Sequence, residues 1–253
     1  MDQTRLDVDP TQPFALSDGD ALFLDFDGTL VEIADRPELV RPPQDLAELL
    51  QACAERLDGA LAIISGRRLQ DIDAFLQPLK LPGAGLHGAE LRSTADAALE
   101  LAEHANLAAA AAAVRAELGD LAGLLIENKG AALAVHYRHC PHAAAQVERA
   151  LRRAVEQEPV EIVAGKFVFE ARPRGIDKGS AVRRLMQVAP FAGRRPIFVG
   201  DDVTDEDGIA AVQSLDGFGI KVGGGSSAAR HRLQGPAAVA DWLRRGVQQR
   251  SPR

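Results

Sequence analysis

Cysteine is scarce in this chain. Its 253 residues contain two, Cys53 and Cys140, too few for a disulfide framework or a four-cysteine zinc site. That usage fits a reducing compartment, and a cytoplasmic location is expected. Long apolar runs are missing too. The stretch Leu107 to Val114 is mostly alanine and falls well short of the ~20 residues that span a bilayer. The opening segment, MDQTRLDVDP, has neither the basic start nor the apolar core of a signal peptide. No membrane partner is therefore expected. Positive charge is in deficit, with 29 Lys and Arg against 36 Asp and Glu, a net charge of −7 and a pI near 5.4. Non-specific nucleic-acid binding rests on phosphate neutralisation by Lys and Arg, so no nucleic-acid partner is expected. An anionic small molecule remains compatible, because a local pocket can oppose the net sign. No repeat of fixed period is visible.

What is present is the mixture of an ordinary globular protein: 46% hydrophobic and 26% charged residues, which argues against disorder. The length allows one large domain or two modest ones. Ala21 to Leu24, Ala60 to Ile64 and Pro196 to Val199 are short continuous apolar runs, the pattern of strands buried on both faces of a parallel sheet. Helix-like stretches cover Pro43 to Leu57, Arg68 to Leu76 and Lys178 to Val188. Strands alternating with helices predict a doubly wound, Rossmann-like α/β sheet, with ligands beyond the carboxyl ends of the strands.

The middle of the chain changes pattern. An alanine-rich helix over Asn106 to Leu118 precedes two strand-like runs, Leu124 to Ile126 and Ala131 to Tyr137, with Asn128-Lys129-Gly130 as their turn. A helix over His142 to Gln157 and a strand pair, Val160 to Val163 and Phe167 to Phe169, follow. This is an antiparallel α+β insert. It is expected over 96–171, as a cap on a core formed by 1–95 and 172–253. Inserted domains that cover a strand-end site often act as lids.

Polar clusters stand where the buried runs end. Asp25-Phe26-Asp27-Gly28-Thr29 follows the first. Two aspartates one residue apart could offer oxygen ligands to a hard cation such as Mg²⁺; they could equally form a helix N-cap turn. Gly200-Asp201-Asp202-Val203-Thr204-Asp205-Glu206 follows the third. There Asp201 and Asp202 are the better placed ligands, while Asp205 and Glu206 could simply favour the dipole of the next helix. Ser65-Gly66-Arg67 ends the second run, and Ser65 also suits an N-cap. Lys178 stands at the start of a helix, where a cation opposes the dipole and calls for an anion; a phosphate would supply one.

Three tempting motifs fail. Gly83-x-Gly85-x-x-Gly88 has the letters of a dinucleotide fingerprint, but Pro82 precedes it and no clear helix follows, so a loop is expected. His136, His139, Cys140 and His142 have the composition of zinc ligands, but His136 falls on a predicted strand and no CxxC accompanies them; a solvated surface cluster is expected. Gly223-Gly224-Gly225-Ser226 lacks the Lys-Ser/Thr of a P-loop.

The order Asp25-x-Asp27-Gly28-Thr29, Ser65, Lys178, Asp201-Asp202 resembles the four motifs of the haloacid dehalogenase-like phosphatases. Further segments resemble the trehalose-6-phosphate phosphatase family within them: Ser65-Gly66-Arg67, Gly85 to Glu90, Glu127 to Gly130, His136-Tyr137-Arg138, Gly165-Lys166, Arg172 to Gly175 and Gly200 to Glu206. The resemblance runs from about Phe14 to about Trp242. Leu91 departs from it, where a basic residue would follow Glu90, and so does Phe169-Glu170-Ala171, which is less β-branched.

The resemblance implies hydrolysis of trehalose 6-phosphate to trehalose and phosphate, the last step of trehalose biosynthesis, with Mg²⁺ as cofactor. It makes Asp25 the nucleophile that forms an aspartyl-phosphate and Asp27 the general acid and base. Ser65 and Lys178 would hold the phosphate oxygens. The metal would use Asp25, Asp27 (through its carbonyl), Asp201 and Asp202. Substrate contacts are expected from Ser65, Gly66, Arg67 and His87, with Glu127, Lys129, Arg138, Lys166 and Glu170 for the sugar. A carboxylate attacking a phosphate dianion meets repulsion of about 4 kcal/mol per unit pair at ~4 Å and an effective dielectric of ~20, so cations are required. Asp27 as an acid at pH 7 would need its pKa raised by about two units. A monomer is expected, with trehalose-6-phosphate synthase as a candidate protein partner. The competing readings are a phosphatase for another sugar phosphate, such as sucrose phosphate or a mannosyl-glycerate phosphate, and an inactive sugar-phosphate sensor. Retention of both Asp25 and Asp27 opposes the latter.

Overall fold

A computed structural model of the chain describes residues 15–34, 36–101, 107–128, 130, 132–165 and 167–248. Strands β1 (Asp20–Leu24), β2 (Leu61–Ile64), β3 (Gly83–Gly85), β4 (Glu90–Arg92) and β5 (Glu100–Leu101) are accompanied by helices α1 (Leu46–Arg56) and α2 (Leu69–Leu76). Next come α3 (Ala108–Leu118), β6 (Leu125–Asn128), β7 (Leu133–His136), α4 (Ala144–Ala154), β8 (Val160–Gly165) and β9 (Val168–Pro173). The chain ends with α5 (Lys178–Leu185), β10 (Arg195–Gly200), α6 (Asp205–Ser214), β11 (Phe218–Val222), β12 (His231–Leu233) and α7 (Pro236–Gln248). No helix among the described residues is long and apolar enough to cross a membrane.

Two compact units result. The first holds the described residues up to Glu100 and from Asp177 onward; the second holds those between Leu101 and Ile176. The eight-stranded sheet runs β12-β11-β10-β1-β2-β3-β4-β5. It is parallel from β12 through β3, and β4 pairs antiparallel to β3. All residues of β1, β2 and β11 are buried; Ala21 to Leu24 and Leu61 to Ile64 therefore read as unbroken apolar runs rather than alternating ones. Phe23, Phe26, Phe191 and Phe198 are the bulkiest fully buried side chains of this core.

The expected loop over Gly83 to Gly88 is instead strand β3 and a 3-10 turn, Leu86–Gly88. Gly83 and Ala84 pair in parallel with Ile63 and Ile64. Three small residues carry little intrinsic strand preference, and pairing with β2 overrides that.

In the second unit β6-β7-β9-β8 form an antiparallel sheet. One face packs Leu133, Val135 and Ala171 with Val114 and Leu118 of α3 and Val147 and Leu151 of α4. The spacing of Val147, Ala150 and Leu151 is the apolar stripe of an amphipathic helix. Cys140 also lies in this core at 2% exposure, so it is not part of a solvated cluster; His139 and His142 are exposed.

Candidate active site

β1 lies between β10 and β2, so the connections of the parallel sheet diverge on its two sides. In such sheets a crevice opens at that point beyond the strand ends. Leu24 pairs with Val199, and the Asp25 N–H donates to the Val199 carbonyl at 2.9 Å. The segments that follow β1 and β10 therefore emerge side by side. Gly28, at φ 79°, is where they touch: a Cβ there would fall 2.2 Å from Asp201 Oδ2. Any side chain would displace the Asp201 carboxylate.

α5 begins on a capping box between Asp177 and Ser180, and this delivers Lys178 into the crevice. Its ammonium donates to Asp25 Oδ1 at 2.7 Å and to Asp205 Oδ1 at 2.5 Å, and it is 3% exposed. The anion that Lys178 calls for is thus already supplied by two carboxylates. Asp205, fully buried, accepts through its other oxygen from the N–H groups of Asp201 and Asp202, at 2.8 and 2.9 Å. It starts α6, as expected, but it also anchors the loop to Lys178. That role was invisible in a run of acidic residues. Glu206 stays in the first turn of α6 and accepts from the Ala228 N–H at 2.9 Å. Lys221 on β11, also buried, donates to the Asp201 carbonyl at 2.5 Å.

Carboxylate oxygens of Asp25, Asp201 and Asp205 lie within 4.8 Å of one another. Burial, reinforced by Asp205, pushes Asp25 well above the usual carboxylate range, with Lys178 pulling the other way. Burial, then Asp205 and Asp202, pushes Asp201 up to about 6. Burial works against the Lys178 ammonium, yet Asp205 and Asp25 outweigh it and hold its pKa above that of an ordinary lysine. An all-oxygen, negatively charged donor set that strains against its own charge fits a hard divalent cation. The Asp202 side chain is exposed and outside the group, and the Asp27 carboxylate is otherwise engaged.

Arg67 engages it. The guanidinium donates from Nε to Asp27 Oδ2 at 2.6 Å and from Nη2 to Asp27 Oδ1 at 2.8 Å. It lies over the rings of Phe75 and Phe26, 5.1 and 6.0 Å from their centroids. Ser65, 1% exposed, accepts the Arg67 N–H on its Oγ at 3.1 Å. The His87 N–H donates to the Ser65 carbonyl at 3.0 Å, and a Cβ on Gly66 would fall 2.6 Å from His87 Nε2. Ser65, Gly66, Arg67 and His87 are therefore one local assembly. Glu90 supports it by accepting the Leu69 N–H, at the start of α2, at 2.7 Å. A cavity of about 730 Å³ lined by Leu81, Pro82 and Pro190 lies instead toward the beginnings of β2 and β3, away from these groups.

In the second unit Glu127 pairs across to Ala134, and Ala134 to Glu170. The three thus share the sheet face that carries no helix, since successive side chains alternate. Arg138 is exposed just after β7, its guanidinium 6.0 Å from the Phe167 ring centroid. Lys129 and Lys166 lie outside the described residues.

A strand-end acidic cluster served by a helix-borne lysine, on a parallel sheet with an inserted α+β unit, defines a haloacid dehalogenase-like hydrolase. A Bacillus subtilis haloacid dehalogenase-like hydrolase superposes with a TM-score of 0.65 at 16% identity, covering 88% of this chain and 99% of that one. The C-terminal domain of C. albicans trehalose-6-phosphate phosphatase superposes with a TM-score of 0.81 at 21% identity, over 92% of this chain and 94% of that one. At those identities the likeness establishes the fold. Sequence goes further: residues 23–238 match the family model for trehalose-phosphatase. The chain is 40% identical over 226 residues to trehalose-6-phosphate phosphatase of Escherichia coli (strain K12), spanning 88% of this chain and 85% of that protein. The chain belongs to the trehalose-phosphatase family, a family of phosphoric monoester hydrolases.

Proposed function

We propose that the protein hydrolyses trehalose 6-phosphate to trehalose and inorganic phosphate through an aspartyl-phosphate on Asp25, with Mg²⁺ as cofactor. The observation that carries the chemistry is the Lys178 ammonium bridging Asp25 and Asp205 beside Asp201. Family membership carries the substrate.

Asp25 attacks phosphorus, and the ester bond to the sugar oxygen breaks. For that it must be ionised, which its burial beside Asp205 opposes. Lys178 supplies one compensating charge. Mg²⁺ bound by Asp25 and Asp201, with the Asp27 carbonyl as a further oxygen, would supply the rest and draw charge from the phosphoryl oxygens. Lys178 and Ser65 hold those oxygens. Asp27 gives a proton to the leaving sugar oxygen and then takes one from the water that hydrolyses the aspartyl-phosphate.

Substrate choice falls to the second unit, acting as the cap. Glu127, Lys129, Arg138, Lys166 and Glu170 are assigned to the sugar, with His87 assigned nearer the phosphate. Sugar hydroxyls both donate and accept, so carboxylates and cations together can pair them. The shared face of Glu127 and Glu170 supports this.

The test is phosphate release from trehalose 6-phosphate and from glucose 6-phosphate, sucrose 6-phosphate and mannosyl-glycerate phosphate, with Mg²⁺ and with EDTA. Preference for trehalose 6-phosphate, abolished by EDTA and by Asp25→Asn, is expected. Turnover by Asp25→Asn within tenfold of the parent would remove Asp25 as the nucleophile.

A further inference from the structure

Lys221 occupies the last position but one of β11, a strand buried throughout, and is itself 5% exposed. A buried ammonium calls for a partner of opposite charge. Among the described residues Lys221 forms no ion pair; its Nζ donates instead to two backbone carbonyls, that of Asp201 at 2.5 Å and that of Val222 at 2.6 Å. Lys221 pairs across the sheet with Gly200, the last residue of β10. It therefore stands beside the point where the chain leaves the sheet for Asp201. Two side chains then hold the Asp201 backbone: Asp205 accepts its N–H at 2.8 Å, and Lys221 donates to its carbonyl. The carboxylate carried between these two anchors is the one that approaches Asp25.

We propose that Lys221 is a positioning residue for the metal site, fixing the Asp201 peptide so that its carboxylate is presented to the cation. The proposal rests on the reading of Asp201 as a Mg²⁺ ligand made above. Packing alone would be served as well by an apolar side chain of the same volume, which has no charge to desolvate. Charge alone acts in the wrong direction, because a second cation repels Mg²⁺. What the ammonium adds is a pair of directed hydrogen bonds that tie the loop after β10 to the end of β11. A ligand ordered before the cation arrives loses less freedom on binding it.

The experiment uses the full chain at pH 8 without substrate. Mn²⁺, a hard divalent cation with the same oxygen preference as Mg²⁺, is titrated and read from the electron paramagnetic resonance signal of the free ion. Lys221→Met keeps the volume and removes the donors; Lys221→Gln keeps a neutral donor on a chain one bond shorter. Lys221→Met is expected to weaken Mn²⁺ binding by about tenfold or more, and Lys221→Gln by about threefold or more. The Mg²⁺ concentration for half-maximal hydrolysis of trehalose 6-phosphate should rise in parallel. KM for trehalose 6-phosphate at saturating Mg²⁺ should stay within about twofold of the parent. Thermal melts in EDTA report folding, and a purely structural role would move the melts while leaving Mn²⁺ affinity alone. Mn²⁺ binding as tight as in the parent, or tighter, in a folded Met or Gln variant would overturn the proposal. Failure of both variants to fold would overturn it too, since Lys221 would then serve stability. Asp201→Asn tests the underlying reading: if it binds Mn²⁺ as tightly as the parent, the assignment of Asp201 to the metal fails, whatever the Lys221 variants do.

Discussion

Arg67 and Asp27, 40 residues apart in the chain, form a two-point ion pair in which Nε and Nη2 meet Oδ2 and Oδ1 at 2.6 and 2.8 Å. Phe75 and Phe26 support the guanidinium plane. This pairing orients the proposed acid and base. Arg67→Ala is expected to fold, since it removes no core side chain, and to lose at least about tenfold in kcat on both trehalose 6-phosphate and 4-nitrophenyl phosphate. Arg67→Lys should recover little, because an ammonium cannot reproduce the planar fork. Kinetics of the two variants, with thermal melts as a fold control, decide this; full recovery by lysine would mean that charge alone matters.

Asp205 is expected to be the most stability-sensitive residue of the acidic cluster. Its carboxylate receives Lys178 and the N–H groups of Asp201 and Asp202. Asp205→Ala leaves a buried ammonium short of one partner and two backbone donors unpaired. A loss of about 3–5 kcal/mol is expected, as for a buried pair broken on one side, read from urea denaturation in EDTA. A variant as stable as the parent would show that the anchor is dispensable.

The raised pKa of Asp201 makes the metal-free fold sensitive to pH. Its value of about 6 exceeds the 3.8 of an ordinary aspartate, so the folded chain holds this proton more tightly than the unfolded one. The resulting stabilisation is complete below about pH 4 and lost as pH rises through 6. Allowing for partial exposure, it amounts to on the order of 1–2 kcal/mol. In EDTA, the parent should lose stability between pH 4 and pH 6.5 more than Asp201→Asn does. Excess Mg²⁺ at pH 7.5 should then raise the Tm of the parent but not of the variant. Parallel pH curves for the two proteins would contradict the assignment.

Glu127→Ala combined with Lys129→Ala is expected to reduce trehalose 6-phosphate hydrolysis by about a hundredfold or more. Remote binding energy reaches the chemical step. The loss on 4-nitrophenyl phosphate should be far smaller. Equal losses would assign these side chains to general catalysis or stability rather than to substrate choice.

Much of the fold was legible because burial on both faces writes itself as unbroken apolar runs. Ala21 to Leu24, Ala60 to Ile64 and Pro196 to Val199 match β1, β2 and β10 within a residue or two. The charged residues that break those runs had to lie at strand ends. β3 was not legible, since Gly83-Ala84-Gly85 has no strand preference of its own and is made a strand by β2.

The sequence by itself placed the candidate groups: aspartates after buried strands, a lysine opening a helix, and an insert of different periodicity between them; the class of chemistry followed from the order of those motifs and its resemblance to a known family. Only the tertiary structure decided which carboxylates lie together and what each one touches. Asp205 rather than Asp202 joins Asp25 and Asp201, Arg67 faces Asp27, and His136 reaches Glu127. Contacts such as Arg67 with Asp27, 40 positions apart, and Lys178 with Asp25, 153 positions apart, depend on strand order. Parallel neighbours are joined through crossovers, so no local spacing in the chain records which side chains will meet.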